Sequence, residues 1–192
     1  MSANGQFDFL AGAASDAARR LLGCELVREL EGRTLRVRIV ETEAYDQTDA
    51  ASHSYKGRTP RTDVMFGPPG CLYVYFTYGM HYCCNVVTGA EGVGAAALVR
   101  GVEILEGEDM ISDNRQGLQG VALTNGPAKL CQALKIDRAM NGHDLQFEPL
   151  RLVVHPELAA EQIVQTTRIG ISQAKDVPWR FYVKDSPYVS RR

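Results

Sequence analysis

The chain has 192 residues, 45% hydrophobic and 23% charged, a composition that fits a globular domain and excludes disordered, collagen-like and fibrous classes. No apolar run approaches the ~18 residues of a membrane span, and the opening residues lack the basic start and apolar stretch of a secretory signal, so a cytoplasmic location is expected. Lys and Arg number 21 against 23 Asp and Glu, a net charge of −2, which by itself proposes no nucleic-acid partner, because the usual footprint is a basic domain.

Residues 8–22 (DFLAGAASDAARRLL) carry a helical apolar stripe, with Asp8 placed to cap its start and Gly23 to close its end. Residues 24–30 and 34–42 read as a hairpin of two strands about a short turn. On the second strand Leu35, Val37 and Ile39 share one face, and strict alternation carries Glu41 and Glu43 onto it. Two carboxylates ending an apolar face are unusual, since an unpaired buried charge is costly. A bulge could turn one outward, so parity leaves open which Glu is buried.

Residues 46–70 form a long loop rich in Gly, Pro and polar residues, a kind of segment that in compact domains is functional or disordered. Residues 71–78, 81–88 and 95–105 read as an antiparallel meander turning at Gly79-Met80. Residues 106–120 are an acidic loop or broken helix, and Pro127 opens a helix in NGPAKLCQAL. Three strand-like runs follow at 150–154, 168–172 and 179–184. The expectation is one mixed α/β (α+β) domain over 1–192, with residues 1–6 flexible. It has a curved, mostly antiparallel sheet, a protruding β-hairpin and a few flanking helices.

Several residues suit chemistry. A carboxylate of Glu41-Thr42-Glu43-Ala44-Tyr45, partly buried beside an aromatic, suits a general acid or base; a structural Glu paired with an arginine is the alternative. Tyr73, Tyr75, Phe76, Tyr78 and Tyr82 crowd the first hairpin of the meander. An aromatic at its tip suits a wedge into a base stack, against simple cross-strand packing. His53 suits ligand contact or plain solvation. Gly57-Arg58-Thr59-Pro60-Arg61 suits phosphate contact or a solvated turn, and Lys129, in the first turn of the Pro127 helix, suits an anion. The five cysteines make an odd count without a C-x-x-C pair, which reads as reduced thiols. No metal site or cofactor is expected.

In order along the chain stand VETEAY (40–45), His53, GRTPR (57–61), GCLYVYFTYGMHYCCN (70–85), LVRGVE (98–103), NGPAKLCQAL (125–134) and RFYVKDSPYVS (180–190). This series closely resembles the alkyladenine, or 3-methyladenine, DNA glycosylase family of base-excision repair, over nearly the whole chain. The resemblance implies that Glu43 is the catalytic carboxylate, holding and deprotonating the water that attacks C1′ of a damaged nucleotide. It implies that Arg100 supports Glu43 and the sugar-phosphate. Tyr45 and His53 would lie on one side of a flipped base and Tyr75 on the other. Asn85 would oppose the exocyclic amino group of normal guanine, with Cys83 in the pocket wall. Tyr78 would be the wedge that fills the vacated stack, with Met80 and His81 beside it on the DNA and Thr59, Arg61 and Lys129 as further DNA contacts.

The physics suits these roles. A base within a duplex must be extruded before its glycosidic bond is reached. A cationic alkylated purine stacks well on electron-rich rings, and a carboxylate stabilises an oxocarbenium-like sugar. The implied partner is duplex DNA containing alkylated or deaminated purines, handled by a monomer with no membrane, no cofactor and no lyase step. The family pattern usually has Asn at Thr62 and an aromatic at His81, and the small Cys83-Cys84 pair widens the pocket wall. The alternatives are a non-catalytic nucleic-acid binding module on the same scaffold, a class that includes the fold-level relative in the formyltransferase carboxyl-terminal domain, and a hydrolase of free nucleosides. The charge is also unevenly spread. Residues 101–114 hold five acids and no base, whereas 168–192 hold six bases and two acids. A basic DNA face and an acidic face elsewhere are expected.

Overall fold

The sheet is built around β2 (Arg33–Tyr45). In the computed structural model, which describes residues 5, 7–77 and 79–190, only Gly5 of the six residues expected to be flexible is described. Along one edge β2 pairs with β1 (Glu25–Leu30) and then, at Glu41–Glu43, with β8 (Arg180–Val183); along the other it pairs with β5 (Ala96–Glu106). The main path runs β3-β4-β5-β2-β1-β6, with β3 at Leu72–Thr77, β4 at His81–Val87 and β6 at Leu150–Val153, while β7 (Ile163–Thr166) joins through β8. Every pairing is antiparallel, and β3, β4 and β5 are the expected meander. Helices α1 (Ala14–Arg20), α2 (Glu108–Asn114) and α3 (Pro127–Ala133) accompany this sheet in a single α+β domain.

The β2–β5 ladder is interrupted by bulges. Ile39 faces Val102 and Glu41 faces Gly101, so Val40 is an extra residue on β2; Thr42 then faces Val99, so Arg100 is an extra residue on β5. An extra residue re-aims the side chains beyond it. Thr42 and Ala44 therefore take over the helix-facing side from Leu35, Val37 and Ile39. Ala44 lies in the main core with those three, and the Thr42 hydroxyl donates to the Ala18 carbonyl at 2.7 Å. The parity reading is corrected accordingly: both glutamates turn to the opposite face, and both are fully buried.

Two other expectations are also corrected. The helix over 8–22 is split into a 3-10 turn (Asp8–Ala11) and α1, because Gly12 and Ala13 are extended. The run 168–172 is irregular rather than a strand, and β7 lies upstream of it. Gly170 has φ +75, and Arg168 is drawn inward by an ion pair with Asp49.

The long loop is ordered and tied down. It contains 3-10 turns at His53–Lys56 and Asp63–Phe66. The Ser54 hydroxyl donates to the Gly94 carbonyl at 2.6 Å, and the Gly94 N–H donates to Gln47 Oε1 at 3.1 Å. Met65 and Phe66 pack with Tyr73, Val87 and Ala96 in a second apolar cluster, and a Cβ on Gly94 would sit 2.6 Å from the Phe66 ring. Neighbouring residues Leu72, Val74, Val86 and Ala97 belong to the main core. The sheet thus has a helix-covered face and a loop-covered face, and the site lies on the latter. Among the described residues no helix is long and apolar enough to cross a membrane.

Candidate active site

Glu43 lies fully buried near the end of β2, on this loop-covered face. Its Oε2 accepts from the Tyr45 hydroxyl at 2.9 Å and from Arg100 Nη1 at 3.2 Å, and its Oε1 accepts from the Ile169 backbone N–H at 2.7 Å. Glu41 lies alongside, accepting from Arg100 Nε (3.2 Å), Arg180 Nε (2.7 Å), and both the N–H (2.6 Å) and hydroxyl (2.9 Å) of Ser190. Two buried carboxylates therefore meet two buried guanidiniums, the arrangement that makes such burial tolerable. Both glutamates lie behind the lining of a cavity: Glu43 is bonded to the lining residues Tyr45, Arg100 and Ile169, and Glu41 to the lining residues Arg100 and Ser190.

That cavity measures about 660 Å³ and brings together most of the residues singled out in the sequence. Tyr45, His53, Arg61, Tyr75, Cys83, Asn85, Arg100 and Lys129 all line it. The side chains Tyr73 and Tyr75 project to one side of β3 and stack at 5.6 Å, and the His53 ring stands edge-on to Tyr75 at 4.6 Å. His53 Nδ1 lies 3.1 Å from the Tyr73 hydroxyl. Asn85 Nδ2 donates to the Tyr73 carbonyl at 3.1 Å, which fixes the amide. Behind Tyr45 the buried Arg168 guanidinium sits 4.8 Å from the ring centroid and is ion-paired with Asp49.

The surroundings set the protonation states. Burial, and then the Arg61 charge, lower the His53 pKa to about 4, so its ring is neutral near pH 7. Burial, with Glu43 beside it, pushes the Tyr45 hydroxyl up; burial and Cys83 do the same to Tyr75. Burial, followed by Cys84, pushes the Cys83 thiol up to about 11. For Arg100 burial works against the charge, but Glu43 and Glu41 outweigh it, and its pKa is raised. Neutral Tyr45, Tyr75, His53 and Cys83 thus share the cavity wall with the cations Arg61, Arg100 and Lys129, and among the described residues no carboxylate is in its lining.

Some predicted residues lie elsewhere. Thr59 is absent from the lining; its N–H donates to Thr62 Oγ1 at 2.9 Å, closing the GRTPR turn, so Thr62 in place of Asn still ties the loop. Met80, 69% exposed, and His81 border a second hollow of about 340 Å³ against α3. Tyr78 falls outside the described residues. Lys129 is held by Asn125, whose Oδ1 accepts from Nζ at 2.7 Å.

Sequence reading missed Ile169, Asp49, Arg168 and Ser190. Ile169 acts through its backbone, so its side chain carries no signal. Segment 168–172 escapes the sheet, and its N–H groups are thereby available to something other than a ladder. Asp49 and Arg168 were hidden by a separation of 119 positions; a Tyr45 aromatic needing support was the only hint.

Residues 8–187 match the family described as "Methylpurine-DNA glycosylase". The chain belongs to this family and is a DNA glycosylase, a hydrolase of DNA repair. Relatives named "Putative 3-methyladenine DNA glycosylase" include one from Carboxydothermus hydrogenoformans, 54% identical, with 91% of this chain and 92% of the relative aligned. One from Methanoculleus marisnigri is 52% identical over 91% of this chain and 92% of the relative. Another, from Francisella tularensis, is 48% identical over 92% and 93%.

Proposed function

We propose that the chain is a monofunctional DNA-3-methyladenine glycosylase that extrudes damaged purines from duplex DNA and hydrolyses the N-glycosidic bond with water held by Glu43. The observation that carries this reading is that Glu43 is bonded to three residues lining an aromatic-walled cavity, Tyr45, Arg100 and Ile169, and that among the described residues one donor, the Ile169 N–H, reaches its Oε1. A carboxylate oxygen has room for more than one bond, so Oε1 has capacity for a water. The water oxygen bonds to C1′ as the C1′–N bond breaks; the bonding pair leaves with the base, and the water proton passes to Glu43. Arg100 fixes the carboxylate, whose negative charge stabilises the oxocarbenium-like sugar.

Tyr45 and His53 face the flipped base from one side and Tyr75 from the other; Asn85 and Cys83 bound its edge. Tyr78 is the wedge, with Met80 and His81 beside it and Thr59, Arg61 and Lys129 on the phosphates. No lysine serves as a nucleophile, so the abasic sugar is released uncleaved. The substrate range takes in 3-methyladenine and 7-methylguanine, whose cationic rings leave readily, and extends to hypoxanthine and ethenoadenine. The enzyme acts as a monomer on the cytoplasmic nucleoid.

Incubation with methylated duplex DNA, followed by chromatography of the released bases, tests this. Wild type is expected to free 3-methyladenine, and Glu43→Gln to lose at least ~10³-fold in single-turnover rate, on the order expected for losing an essential general base, while still binding the duplex. Undiminished release by Glu43→Gln, or none by wild type, overturns the reading.

A further inference from the structure

Glu41 is as buried as Glu43, and like it lies behind the cavity lining; among the described residues it accepts four hydrogen bonds to Glu43's three. Its partners come from every element packed against it: Arg100 on β5, Arg180 on β8 and Ser190 on the closing segment. Arg100 is the link between the two carboxylates. Its Nε goes to Glu41, its Nη1 to Glu43, and its Nη2 donates to the Ser190 hydroxyl at 3.3 Å. Each nitrogen of the planar fork has its own acceptor, so the guanidinium has no freedom to rotate. Two of those acceptors belong to the Glu41–Ser190 unit. The β5 bulge makes this possible by taking Arg100 out of the ladder.

We infer that Glu41, braced by Arg180 and Ser190, is a positioning residue for excision: it locks Arg100, and through Arg100 sets the direction of the Glu43 carboxylate. This rests on the excision reading above. A merely structural Glu41 would tie down the closing segment without needing the Arg100 fork. A positioning Glu41 acts only while Arg100 is present to transmit it.

A double-mutant cycle separates these cases. Single-turnover excision of 3-methyladenine is measured for wild type, Glu41→Gln, Arg100→Gln and the double variant, with affinity for a duplex carrying a tetrahydrofuran abasic analogue measured in parallel. Glu41→Gln is expected to slow excision on the order of tenfold, a coupling typical of groups within one network, with affinity unchanged. In the Arg100→Gln background the same substitution is expected to cost nothing further. Ser190→Ala, which removes one hydroxyl and little volume, should show a smaller loss that also vanishes in that background, and it decides the matter if Glu41→Gln does not fold. Losses that multiply, or Glu41→Gln and Ser190→Ala at the wild-type rate, overturn the inference alone. Absence of excision by wild type overturns the excision reading along with it.

Discussion

His53 shows how a single residue is tuned by its neighbours. Its ring is edge-on to Tyr75 with Arg61 nearby; lost solvation and a like charge both disfavour the imidazolium. An NMR titration of the histidine ring should therefore find its midpoint at about 4, and Arg61→Ala should move it upward. The sign for stability follows by linkage. The unfolded chain takes up this proton near the ordinary value of about 6.5, before the folded chain does. The contribution of neutral His53 is thus full above that value and is lost as pH falls through about 4. Excision should show no limb from His53 between about pH 5 and 8, and a midpoint near 6.5 in the titration would contradict the packing described. The residue identities at this site were legible, because aromatics, His and Arg carry their chemistry in the side chain. Their support was not, since it comes from backbone groups such as the Ile169 N–H and from partners far along the chain.

At the scale of elements, the bulge pair on β2 and β5 decides what the site is. Without the extra Val40, strict alternation would drive both glutamates into the helix-covered core; with it, they turn to the loop-covered face, where Arg100 bonds both. Gly101 stands at this irregularity opposite Glu41. A Cβ there would lie 2.5 Å from the Tyr188 carbonyl and 3.2 Å from Glu41 Oε2. The first contact is with backbone, which cannot rotate away. Gly101→Ala is therefore expected to destabilise the fold by about 1–3 kcal/mol, the usual cost of overpacking, read as a lower denaturant midpoint at unchanged slope. It should also slow excision by displacing the closing segment from Glu41. The hairpin and the meander were legible because their apolar alternation is local. The bulges were not, because an inserted residue differs from its neighbours only in register, which the partner strand defines. The alternation of Ile169 and Ile171 read as a strand for the same reason: period alone does not say whether a partner edge is free.

For the whole molecule, the charge map is less polarised than the sequence suggests. Of the five acids in 101–114, Glu103, Glu106 and Asp109 pair with Arg38, Arg36 and Arg33 of β2, so the acidic stretch is largely compensated. Two of the six bases beyond residue 167, Arg168 and Arg180, are buried in ion pairs with Asp49 and Glu41 and offer nothing to a phosphate. On the proposed reading, the phosphate contacts come from the few cations about the cavity, above all Arg61 and Lys129, which line it. Few phosphate contacts mean a shallow salt dependence, because each neutralised phosphate adds about −0.9 to the slope of log affinity against log salt. Duplex binding, measured by fluorescence anisotropy across a salt series, should give a slope of only about −2 to −4 on that relation. Lys129→Ala should make it shallower by about one unit. The substitution should weaken damaged and undamaged duplexes alike, since a phosphate contact positions without reading the base. An unchanged slope in Lys129→Ala would place the phosphate contacts away from the α3 end of the cavity.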